Sequence, residues 1–72
     1  MSYQEKMEII ADILDMEVDE LNDTMELEKI ETWDSLAVLS VISIMDAKFG
    51  KLPHAREILN CKKVSDLLDI MQ

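Results

Sequence analysis

Gly50 and Pro53 stand three positions apart and are the only glycine and the only proline in the 72-residue chain. Hairpin turns draw heavily on glycine, and strands announce themselves by polar and apolar residues in alternation; this chain offers neither. An all-α fold follows, and the residues before Gly50 support it. Val38, Val41, Ile42, Met45 and Phe49 fall within an arc of about 100° on a helix of about 3.6 residues per turn, which defines a core face from Ser35 to Phe49. Gly50 then stands where a left-handed helix cap is wanted, and Pro53 blocks any continuation. Aromatic residues make up only 4% of a chain that is 49% hydrophobic, so the interior has to be built mainly from Leu, Ile, Val and Met. A chain this short encloses one modest core, and residues 1–72 are read as one domain.

Three further helices are expected around that segment. Tyr3, Met7, Ile10 and Leu14 recur at helical spacing, with Glu5, Lys6, Glu8 and Asp12 on other faces. An acidic connection follows from about Asp15 to Trp33. A loop of this length is ordered only if something pins it, and Val18, Leu21, Met25, Leu27 and Ile30 are the candidate anchors. After Pro53 a short helical turn is expected over Ala55–Leu59, with His54 capping or decorating it. In the last segment Ser65 is the expected N-cap, Asp66 sits favourably near the positive helix end, and Val64, Leu67, Leu68 and Met71 form the apolar stripe.

The segment from Ser35 is unusual in being apolar beyond its core face. Leu36, Leu39 and Ile44 lie outside that arc, and Ser40 and Ser43 are uncharged. A helix apolar nearly all round is either buried or waiting for a partner, and a bundle this small has too few elements to cover it. Docking of a partner is the preferred reading; coverage of Leu36 and Leu39 by the long loop is the competing one.

At the start of this helix stands Glu31-Thr32-Trp33-Asp34-Ser35-Leu36-Ala37, which resembles the Asp-Ser-Leu attachment motif of acyl carrier proteins. The tripeptide alone is a weak signal. It gains weight from the features that accompany it in the family's order: an N-terminal helix, an acidic loop with Leu27-Glu28, the Phe49-Gly50 helix end and the closing Val64-Ser65-Asp66-Leu67. The resemblance covers nearly the whole chain and implies a free-standing, bacterial-type carrier. It is expected to be a four-helix bundle with a long loop between the first two helices and a short third helix. By position, Ser35 would accept 4′-phosphopantetheine from coenzyme A through a phosphopantetheinyl transferase, with Asp34 and Leu36 beside it. The arm's thiol would then hold acyl groups as thioesters for an acyl-loading ligase and for acyl transferase or synthase enzymes. Trp33, Leu36, Leu39 and Ser43 are the candidate partner contacts. Relatives often carry glycine where this chain has Trp33, though Trp-Asp-Ser-Leu is a familiar variant. They also often present several acidic residues along the second helix, where this chain has only Asp46; recognition is then expected to rest more on Leu36 and Leu39, with dedicated partners. Some related bundles fold around a fatty chain; Val38, Ile42, Met45 and Ile58 would line such a crevice, and are read here as ordinary core.

The remaining chemistry is sparse. Sixteen acidic residues against seven basic give a net charge of −9, which repels nucleic acid and anionic lipid and favours basic proteins. The longest unbroken apolar run, Leu36 to Leu39, is far too short to span a membrane, and a basic leader is not evident, so a cytoplasmic monomer is expected. Cys61 is alone, without a disulfide mate or an adjacent base, and His54 cannot form a metal site alone. No enzyme is expected, because nucleophile and base pairs, glycine-rich phosphate loops and metal clusters are lacking. Two other readings are kept: an unmodified helical adaptor, and calcium binding over residues 15–26. In the second, Asp15, Glu17, Asp19, Leu21, Asp23 and Glu26 match the spacing of an EF-hand loop, but Glu20 occupies the position that needs glycine.

Overall fold

The computed structural model describes residues 1–72 as four helices, α1 (Tyr3–Ile13), α2 (Ser35–Ile44), α3 (Ala55–Leu59) and α4 (Val64–Ile70), with no strand. All fifteen buried residues are apolar and form one cluster, to which every helix contributes.

Helix α1 begins with a reciprocal cap that the reading of its apolar stripe passed over. The Glu5 amide donates to Ser2 Oγ, and the Ser2 amide donates to Glu5 Oε1, each at 3.2 Å, so two unpaired amides of the first turn are satisfied. Met7, Ile10, Ala11 and Leu14 are buried, whereas Tyr3 departs from the expected stripe. It is 55% exposed, and its hydroxyl donates to Asp23 Oδ2 at 3.2 Å. Position 3 lies in the first turn, beyond the end of the core, where the ring meets the loop and not the interior. Asp15 ends the helix in a left-handed conformation (φ 55°).

The acidic connection is ordered by the anchors expected of it. Leu21, Leu27 and Ile30 are buried, while Val18 and Met25 pack half-buried against the core. Single 3-10 turns at Val18–Glu20 and Leu27–Lys29 divide it. A second device is made of backbone. Leu27 donates to the Lys62 carbonyl at 2.8 Å, Val64 to that of Met25 at 3.0 Å and Ser65 to that of Asp23 at 2.9 Å. The amides of Val64 and Ser65 belong to the first turn of α4 and have no partner within the helix, so the loop carbonyls complete that helix end while the helix pins the loop.

This arrangement corrects the expected cap of α4. Lys63, not Ser65, occupies the N-cap position, and Ser65 lies within the first turn. Asp66 takes over the capping work: its Oδ2 accepts from the Lys62 and Lys63 amides at 2.9 and 3.0 Å, and these bonds hold its carboxyl below the usual range.

In α2, Val38, Val41 and Met45 are buried and Ile42 and Phe49 half-buried, as the arc requires. The helix does not stay α-helical to Phe49: residues Met45–Phe49 form one wider π-helical turn. Gly50 closes it in the left-handed conformation expected (φ 65°), with its amide and that of Lys51 both donating to the Met45 carbonyl. His54 stands at the N-cap of α3 without a side-chain capping bond. Val38, Met45 and Ile58 are fully packed core, and Ile42 is half-buried against it. No helix is long and apolar enough to cross a membrane.

Candidate functional site

The start of α2 is built by Asp34. Extended at φ −140°, it is the N-cap, and its Oδ1 accepts from the Ala37 amide at 3.0 Å while its carbonyl accepts from Val38 at 3.1 Å. Ser35 follows as the first helical residue and is exposed. Its hydroxyl makes no hydrogen bond within the chain, and the amides of Ser35 and Leu36 are likewise left without a protein partner. One free hydroxyl therefore sits beside two free N–H groups at the positive end of a ten-residue helix. A phosphodiester on that oxygen would have donors and a favourable dipole at hand, and open space for a long substituent. The neighbouring Asp34 carboxylate is engaged with Ala37, so one of its oxygens faces into the helix end.

Beyond Ser35 the outer side of α2 carries a stripe at helical spacing: Leu36, Leu39, Ser40 and Ser43, all exposed. Leu36 is 71% and Leu39 60% exposed, which overturns the alternative in which the loop covers them. Ser40 is turned inward on its own helix, its hydroxyl donating to the Leu36 carbonyl at 2.9 Å. Ile44 differs from the two leucines in being half-buried.

Trp33 lies on the other flank. Half-buried against the core, it also lines a small cleft with Glu26, Glu28, Leu59, Cys61 and Lys62. Leu59 was not singled out from the sequence, yet it is 63% exposed. The signal was present: Ile58 and Leu59 are adjacent, and on a helix of five residues two neighbours cannot both face the core. Cys61 is half-buried, and burial first, then the Asp66 and Asp69 carboxylates, push its thiol up to about 11, so it is a poor nucleophile at neutral pH.

The calcium alternative finds no support in the loop. Leu21 is buried, Asp23 accepts from Tyr3, and Glu26 pairs with Lys29 at 2.7 Å. No three acidic, histidine or cysteine side chains converge on a point where a cation would sit.

Residues 7–71 match the family described as the phosphopantetheine attachment site, and the chain belongs to that family. It is an acyl-carrier-type domain: a carrier of covalent 4′-phosphopantetheine and not a catalyst, which as such works with a phosphopantetheinyl transferase and with acyl-handling enzymes. No curated protein and no solved structure matches the chain.

Proposed function

We propose that Ser35 is the residue that carries the arm, and that residues 1–72 act as one carrier domain shuttling acyl groups as thioesters between partner enzymes. The observation that carries this reading is the free, exposed Ser35 hydroxyl beside the unpaired amides of Ser35 and Leu36, inside the span that matches the family. In the loading step Ser35 Oγ forms a bond to the phosphorus that bears pantetheine, the nucleotide half of coenzyme A leaves, and the hydroxyl proton passes to the transferase. Asp34 holds the helix end that presents the hydroxyl, and Leu36 borders it.

The bound group supplies a thiol, and with it a thioester reactive enough for transfer or condensation. The protein supplies a tether, which raises the effective concentration of cargo near each enzyme, and a surface by which enzymes recognise it. Leu36, Leu39 and Ser43 form the centre of that surface, with Trp33 at its edge. An acyl-loading ligase and an acyl transferase or synthase are the partners this role requires, and the cargo belongs to fatty acid or polyketide chemistry, in the cytoplasm.

The test is intact-mass measurement after incubation with coenzyme A, magnesium and a broad-specificity phosphopantetheinyl transferase. Wild type gains one phosphopantetheine and Ser35→Ala gains none. A folded wild type that gains nothing would replace this reading with the unmodified adaptor.

A further inference from the structure

The charges before and after Ser35 differ in number and sign. Residues 1–34 hold twelve carboxylates and two lysines, whereas residues 35–72 hold four carboxylates and five lysines and arginines. From Ser35 to Ile44 α2 carries no charge at all, so its exposed leucines lie on a neutral strip. On the side where the loop enters α2, Glu28, Glu31 and Asp34 are exposed and none is paired with a cation. Glu26, by contrast, is neutralised by Lys29. Past Met45 the chain presents one carboxylate, Asp46, against Lys48 and Lys51, with Arg56 in α3 beyond them.

We infer that the Leu36–Leu39 strip is covered by a partner protein with an apolar patch flanked by basic side chains only on the side that meets Glu28 and Glu31. This rests on the reading of Ser35 as the loaded residue and specifies who reads the same site. An apolar hollow accommodates Leu36 and Leu39, whose burial gives affinity. A cationic rim facing the loop orients the approach, so that the partner's active centre arrives over Ser35. A rim that continued along α2 would meet neutral serines, the single carboxylate of Asp46 and then Lys48 and Lys51, and would gain no net attraction. Steering therefore comes from the loop before the serine, and not from the helix after it.

The phosphopantetheinyl transferase of the mass assay is the probe, with kcat/KM for loading measured at low and at roughly 0.5 M salt, where screening reaches within about 4–5 Å. The double variant Glu28→Gln/Glu31→Gln is expected to lower kcat/KM roughly three- to tenfold at low salt, through KM, and to match wild type at high salt. Leu36→Ala is expected to lower it at both salts, while Asp46→Asn leaves it within about twofold of wild type. Loss of efficiency in Asp46→Asn with none in the double variant would overturn the inference while leaving Ser35 as the loaded residue. A wild type that gains no mass overturns both. A second copy as the occupant would appear as a dimer in sedimentation that Leu36→Ala dissociates, and that result also overturns it.

Discussion

Two residues hold left-handed backbone, and they differ in what that costs. Gly50 adopts φ 65° freely, and an added Cβ would meet nothing within 4 Å, so any penalty at this site is conformational and not steric crowding. Gly50→Ala is therefore expected to cost about 1 kcal/mol in urea unfolding. Asp15 occupies the same region at φ 55° with a side chain attached, and Asp15→Gly is expected to be neutral or stabilising by up to about 1 kcal/mol. A loss of stability in Asp15→Gly would mean that its carboxylate holds the chain reversal in some way its backbone does not reveal. Cys61 makes a separate prediction. With its thiol pushed up to about 11, only about one molecule in a thousand is thiolate at pH about 8, so alkylation by iodoacetamide should be slow there and accelerate steadily towards pH about 11. A carrier loaded with its arm should react first at the arm's terminal thiol, which lies free of this burial.

At the scale of the helices, the start of α2 depends on one cap and the start of α4 on a carboxylate and two borrowed carbonyls. Asp34→Ala removes the bond to Ala37 and is expected to cost about 1 kcal/mol, while loosening the turn that presents Ser35. For Asp66 the sign follows from its depressed pKa: the carboxylate's contribution is present above the unfolded value of about 3.9 and is lost as pH falls through the folded value. Asp66→Asn should thus be less stable than wild type at neutral pH, and the two urea midpoints should draw together as acid protonates the carboxylate. The four helices, the Gly50 cap, the loop anchors and the exposed leucines beside Ser35 were all legible, because each leaves a periodic or a compositional trace. What was not legible involved pairing across distance. The bonds from Val64 and Ser65 to loop carbonyls join backbone groups about forty residues apart, and backbone carries no sequence signature. Because Val64 is already helical, Ser65 falls inside the first turn and not at the cap. The Ser2–Glu5 box, by contrast, was written plainly as Ser-x-x-Glu. The wider turn at Met45–Phe49 changes hydrogen-bond register without changing which residues are apolar, so periodicity is blind to it.

For the molecule as a whole, the division is between a dry, entirely apolar interior and a surface on which Leu36 and Leu39 share one side of α2 and most of the carboxylates precede it. Leu36 and Leu39 contribute little to the fold, since they are mostly in water already. Leu36→Ala/Leu39→Ala should change unfolding free energy by under about 1 kcal/mol in total, while sharply reducing loading by the transferase. A large loss of stability would place those side chains in the core after all. A carrier needs this division, because the same face has to separate from one enzyme before it can dock on the next.

The most direct test of the central claim is tandem mass spectrometry of peptides from the loaded protein, because α2 holds three exposed serines, Ser35, Ser40 and Ser43, and only one is proposed to carry the arm. The account predicts the adduct on Ser35 alone. An adduct on Ser40 or Ser43, or fragments that place none on Ser35, would contradict it.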